Sequence, residues 1–119
     1  MKALIWILAA KKDLMKLPKS VIKSFGYGLY QAEQGLHPDG SKVLTGFGST
    51  QIVELREDGE GGTYRTIYTA QFREIIIVLH VFQKKSSKGI KTPKKEMDLL
   101  HARLKRAEEI YKEWKEKQR

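Results

Sequence analysis

The stretch from Ile75 to Lys95, IIIVLHVFQKKSSKGIKTPKK, constrains the fold more than any other part of the chain. It opens as an almost unbroken apolar run from Ile75 to Phe82, rich in Ile and Val. Such a run predicts a strand buried on both faces. Within one residue the character then changes. Lys84 to Lys95 holds six lysines in twelve positions and no acidic residue. Uncompensated cations repel one another unless an anionic partner relieves them. The most buried element therefore delivers the most charged segment to one rim of the fold.

The 119 residues make one domain, residues 1–119, with a real core and little room for a second. A net charge of +9 favours a polyanionic partner: nucleic acid, an anionic membrane surface or an acidic protein. The excess is uneven: +3 over residues 1–40, −1 over 41–83 and +7 over 84–119. The absence of cysteine excludes disulfides and thiolate metal sites and suits a reducing cytoplasm. The opening MKALIWILAAKK has the outline of a signal peptide, but its apolar run is short and serves equally as a first strand, the reading preferred here. No run approaches the roughly 18 apolar residues of a membrane-spanning helix.

Ala3 to Leu8 is apolar throughout and predicts a strand central in the sheet. Lys11 to Leu17 predicts one or two helical turns ending at Pro18. A second helix follows, with Val21, Ile22, Phe25, Leu29 and Ala32 at helical spacing and Gly35 as its C-terminal cap. Leu36 to Thr50 reads as loop. Gln51 to Glu57 alternates as a half-buried strand, with Val53 and Leu55 facing inward and Glu54 and Arg56 outward. DGEGG (58–62) is a hairpin turn, Tyr64 to Ala70 the return strand, and Gln71 to Glu74 a short turn into the Ile75 strand. Thr92-Pro93 predicts a hydroxyl-capped helix start, and Met97, Leu100, Leu104, Ala107, Tyr111 and Trp114 form one apolar stripe. The polar C-terminal half is expected to project towards a partner. The order β-α-α-β-β-β-α predicts an α+β fold, an antiparallel meander with helices at either end.

Metal and cofactor chemistry find no support in the residues. His37, His80 and His101 lack ligand spacing, and His80, inside the buried strand, reads as a satisfied core histidine. No nucleophile elbow is present, and no helix follows GFGST to complete a phosphate loop. The basic set remains. Arg56 and Arg65 lie nearly opposite each other across the DGEGG turn, and Lys84 and Lys85 leave the Ile75 strand at a rim that can reach them. Arginine forks clamp phosphates and lysines add point charge. Tyr64 and Tyr68 offer rings for base stacking. Taken together these residues describe a phosphodiester-binding face.

Glu54-Leu55-Arg56, the YRTIY of 64–68 and VLHVFQKKSSKGIKTPKKEMDLL (78–100) resemble the RelE/HigB superfamily of toxin–antitoxin toxins, in particular its phage-derived Gp49-like branch. The most specific piece is a strand ending in F-x-K-K, a short linker, and K-T-P-x-x-E opening a helix. The resemblance implies a compact RelE-like, microbial-RNase-like fold: a four-stranded antiparallel sheet with two N-terminal helices and one C-terminal helix. It implies a cytoplasmic, metal-independent, cofactor-free endoribonuclease that cleaves mRNA on the ribosome until a cognate antitoxin, of helix-turn-helix type, neutralises it; no membrane is involved. Arg56, Arg65, Lys84 and Lys85 would be its catalytic residues, with Lys88, Lys91, Lys94, Lys95, Tyr64 and Tyr68 binding RNA. The general base would be a lysine, Lys84 or Lys85 before Lys91, its proton affinity lowered by neighbouring cations. The alternative is a non-catalytic protein of the same fold, a gyrase poison or a degenerate phage remnant.

Overall fold

The computed structural model describes residues 1–59, 61–84 and 92–118. In chain order these form β1 (Ala3–Trp6), α1 (Leu8–Met15), α2 (Lys19–Glu33), β2 (Lys42–Val43), β3 (Ile52–Gly59), β4 (Gly62–Thr69), β5 (Ile75–Lys84) and α3 (Lys94–Lys117). The class is α+β, as expected, but the sheet has five strands, not four, and is mixed. Its order is β1-β5-β4-β3-β2. β2–β3, β3–β4 and β4–β5 are antiparallel, whereas β1 runs parallel to β5, with Trp6 beside Val78. The fifth strand is the two-residue β2, inside the segment expected to be loop; so short a strand carries no periodic signal.

The apolar run of β5 does what its composition dictates. Its first seven residues are buried, and it is flanked by β1 and β4. β1 reads much the same in sequence, yet it lies at the sheet edge and is only partly buried. Beyond Trp6, α1 packs against β5, beginning where Ile7 N donates to Val78 O (3.0 Å).

Two cores sandwich the sheet. On one face, Ala10, Leu14, Val21, Phe25, Leu29 and Ala32 of α1 and α2 meet Val53, Leu55, Tyr64, Tyr68, Ile76, Val78 and Val81. On the other, Leu100 and Ala107 of α3 meet Ile52, Ile67, Ile75, Ile77 and Leu79. β3 is thus covered on both sides: Glu54 is buried, not solvent-facing as its alternation predicts. Gly35 follows α2 with φ +81°, the left-handed conformation that its expected capping role requires.

The start of α3 departs from expectation. Pro93 is the N-cap and makes no side-chain cap, and the Thr92 hydroxyl is engaged elsewhere. Nor does the C-terminal half of α3 project. Tyr111 stacks on Phe72 (4.2 Å between centroids) and donates to Glu74 Oε1 (2.6 Å), and Lys115 Nζ approaches Glu74 Oε2 (3.8 Å). These contacts fasten the far end of α3 to the turn before β5.

Candidate functional site

Strand register arranges a grid of side chains on the α3 face, at the end of the sheet where β5 finishes. Across β3, β4 and β5 its rows are Glu54–Ile67–His80, Arg56–Arg65–Phe82 and Asp58–Thr63–Lys84. One irregularity builds it. Ile67 pairs with His80 but Tyr68 pairs with Val78, so Leu79 is an extra residue in β5. Strict alternation from Ile75 would turn His80, Phe82 and Lys84 towards α2. The bulge keeps Leu79 on the α3 face and brings His80, Phe82 and Lys84 there too, a re-aiming that bulges commonly perform beside functional sites. The Leu79 carbonyl accepts from Arg103 Nη1 (2.9 Å).

Arg56 and Arg65 are direct cross-strand partners, as expected. Their environments differ. Arg56 is exposed and loosely paired with Asp58 (Nε–Oδ1 3.4 Å), an interaction worth at most about 1 kcal/mol. Arg65 is only 1% exposed, and its Nη1 donates to Glu54 Oε2 at 3.0 Å. Thr92 closes the triangle: its hydroxyl donates to Glu54 Oε2 (3.1 Å) and accepts from Arg65 Nη1 (3.4 Å). A buried guanidinium needs such a carboxylate. Arg65 therefore sits beneath the exposed rim.

A second polar group adjoins the first. His80 is buried, with Nε2 on Glu96 Oε2 of α3 and Nδ1 facing Arg103 Nη1 (3.2 Å). A guanidinium only donates, so Nδ1 is the acceptor and the proton resides on Nε2, directed at Glu96. Burial holds the His80 pKa below the ordinary imidazole value against the pull of Glu96, in keeping with a neutral ring. Its satisfied state matches the expectation for a core histidine. Phe82 stacks on His80 at 4.8 Å and is itself partly buried.

Tyr64 and Tyr68, expected to stack bases, are 7% and 2% exposed and belong to the core under α1 and α2. The apolar surroundings that hold Tyr68 also push its phenol up to about 12, and leave no ring face for a base. They lie on the sheet face opposite Arg65 because neighbouring strand residues point to opposite sides. Phe82 is the ring in the row of the two arginines. Lys84 ends β5, partly buried, beside Thr63. Lys94 and Lys95 are exposed at the start of α3, Lys94 within 3.6 Å of Asp98. Lys85, Lys88 and Lys91 lie outside the described residues.

Reading the chain alone missed Glu54, Phe82, Thr92 and the His80–Glu96–Arg103 group. The only advance signal was a charge or histidine inside apolar strands, which in a folded protein demands a partner. Among the described residues no cluster of His, Asp and Glu could hold a metal ion, and no helix is long and apolar enough to cross a membrane. The arrangement sets the exposed Arg56 and the partly buried Lys84 beside the buried, hydrogen-bonded Arg65. It is suited to binding anions and stabilising developing negative charge.

A family model described as "Phage derived protein Gp49-like (DUF891)" matches residues 12–105. No curated protein matches the chain, and no solved structure does.

Proposed function

The chain belongs to the phage-derived Gp49-like family, which is linked to the toxins of toxin–antitoxin systems, and on that premise we propose that it is the toxin of such a pair, a RelE/HigB-type endoribonuclease acting on mRNA at the ribosome. One observation supports this reading most: Arg56 and Lys84 stand in successive rows of one sheet face, at the end where β5 finishes, with the buried Arg65–Glu54 pair beside them. A scissile phosphate at this rim would be met by Arg56 and Lys84, with Lys85 next in the chain. The ribose 2′-oxygen attacks phosphorus as a lysine removes its proton. The pentacoordinate intermediate then expels the 5′-oxygen, which takes a proton from a lysine ammonium at the rim, leaving a 2′,3′-cyclic phosphate and a 5′-hydroxyl. The cations stabilise the extra negative charge of that intermediate. Arg56 can exchange its weak contact with Asp58 for a phosphate at little cost. Arg65, buried beside them, acts as a positioning residue, and Phe82 supplies an apolar ring next to the reacting group. A cognate antitoxin with acidic side chains would neutralise the toxin by covering the same rim.

Primer extension on a reporter mRNA after brief induction tests the reading. Discrete new 5′ ends within the translated region are expected for the wild type and absent for Lys84→Ala and Arg56→Ala. Intact message with arrested growth would overturn it. The withdrawal of Arg65 into an ion pair with Glu54 favours a second reading, a non-catalytic inhibitor of the same family, for which that outcome is expected.

A further inference from the structure

The rim is not the only cationic surface at this end of the sheet. Residues 8–23, LAAKKDLMKLPKSVIK, carry five lysines (Lys11, Lys12, Lys16, Lys19, Lys23) and one acid, Asp13, a net +4 of the chain's +9. All five lysines are exposed. Asp13 lies within 3.8 Å of Lys16.

Contacts of α1 and α2 with the sheet fix where they sit. α1 starts at Val78 of β5 and runs beside that strand's second half, with Ala10 and Leu14 packing in the core that holds Val81 and Tyr64. In α2, Ser24 Oγ donates to Glu57 Oε2 (2.8 Å), next to Arg56, whereas Glu33 O at the far end receives Lys2 N (2.8 Å) at the opposite edge of the molecule. Both the lysine-bearing α1 and the first turns of α2 are therefore at the Arg56–Lys84 end, on the other face of the sheet. Cationic side chains therefore stand on both faces of the sheet at that end.

Lys12, in the last turn of α1, and Lys16, its C-cap, suit that helix's dipole, but folding does not ask for lysine at the start of α2. The first turn of α2 contains no acidic residue, and Lys19 occupies its first position. A cation at a helix N-terminus opposes the macrodipole, while the same terminus attracts anions. Placing lysine at this position weakens the helix and strengthens a polyanion site. Lys19 and Lys23 are four residues apart, so both lie on one side of α2.

We propose that the α1 and α2 lysines form a second contact surface for RNA backbone, at the same end of the sheet as the rim, and that this surface holds RNA outside the segment at the cleavage site. The proposal rests on the RNA-cleaving reading and adds to it a sequence-independent grip that reads phosphates only. Leu8 and Met15 are also exposed, at 66% and 63%, and an anionic membrane is the competing partner. Two separated apolar side chains on an eight-residue helix make no continuous face to enter a bilayer, which favours RNA.

The test compares wild type with Lys11→Gln/Lys12→Gln/Lys19→Gln/Lys23→Gln, using a fluorescent 2′-O-methyl RNA whose blocked hydroxyl prevents cleavage. Glutamine keeps helix propensity, so the variant should retain the wild-type circular dichroism spectrum and Tm. For the wild type, log Kd should rise steeply with log salt. The variant should lose about 0.7 of that slope per phosphate contact removed, up to roughly 2.8 in all. Wild-type binding that the variant reproduces in Kd and slope would overturn the proposal. So would a wild type that ignores RNA and binds phosphatidylserine vesicles. Primer extension separates this from the parent reading. A salt slope that depends on the lysines with message left intact keeps the surface and discards the nuclease. Cut message with an unchanged slope does the reverse.

Discussion

Removing the Glu54 carboxylate should be among the most damaging single changes to this fold. Glu54 and Arg65 are 3% and 1% exposed, joined at 3.0 Å, and tied to the start of α3 through Thr92. Glu54→Ala leaves a guanidinium buried without its carboxylate, an arrangement that costs about 3–5 kcal/mol. At 0.05–0.15 kcal/mol per residue, a chain of this length has a total of about 6–18 kcal/mol to lose. The change therefore removes a large share of it. Tm should fall on the order of 10 °C. Urea unfolding followed by circular dichroism measures the loss. The double variant Glu54→Leu/Arg65→Met, with both charges gone and apolar volume kept, should recover most of it, because a buried pair is roughly balanced between Coulomb gain and desolvation. A cost below about 1 kcal/mol for Glu54→Ala would refute the reasoning, as would additive effects in the double variant; either would mean water reaches the guanidinium. The same logic governs functional tests. Arg65→Ala strips Glu54 of its partner and confounds activity with folding, so exposed residues are the sounder probes of the site.

Arg56→Ala should change unfolding free energy by no more than about 1 kcal/mol, since its ion pair with Asp58 is solvent-exposed; chemical denaturation checks this beside the primer-extension assay. Stability should decline as pH falls below about 6.5: burial holds the His80 pKa below its unfolded value, so the unfolded chain binds the proton first. Protonation also sets a cationic ring against Arg103, and His80→Gln should flatten the decline in urea midpoints measured between pH 7 and 5. Gly26→Ala should stabilise α2 by about 0.5–1 kcal/mol, its added methyl meeting nothing within 4 Å. Gly28→Ala should gain less or lose, because its Cβ would come 3.0 Å from Leu55 Cδ1; paired Tm measurements distinguish the two.

The Gly26 and Gly28 pair shows what local sequence leaves open. Both glycines weaken the helix equally on paper, and only the placement of α2 on β3 makes one of them a contact residue. Tyr64 and Arg65 show the same for the site. Both stand in one polar-looking strand, and both read as candidates for RNA. Strand alternation sends the tyrosine into the α2 core and the arginine towards α3. Burial of β3 on both faces then converts Glu54 from a solvent residue into the partner of Arg65.

What the sequence determined by itself was whatever follows from runs of one character. The Ile75–Phe82 run had to be buried, because its apolar side chains cannot face water on either side. Lys94 and Lys95 are exposed as a run of lysines requires, and the helical stripes and Gly35 set α2 and α3 and the end of α2. Tertiary structure decided what depends on register and on contacts between distant residues. β1 joined β5 in parallel at the edge. One extra residue at Leu79 turned His80, Phe82 and Lys84 onto the face of Arg56 and Arg65. A periodic pattern records how often a side chain points inward; it does not record which residue will be there to meet it.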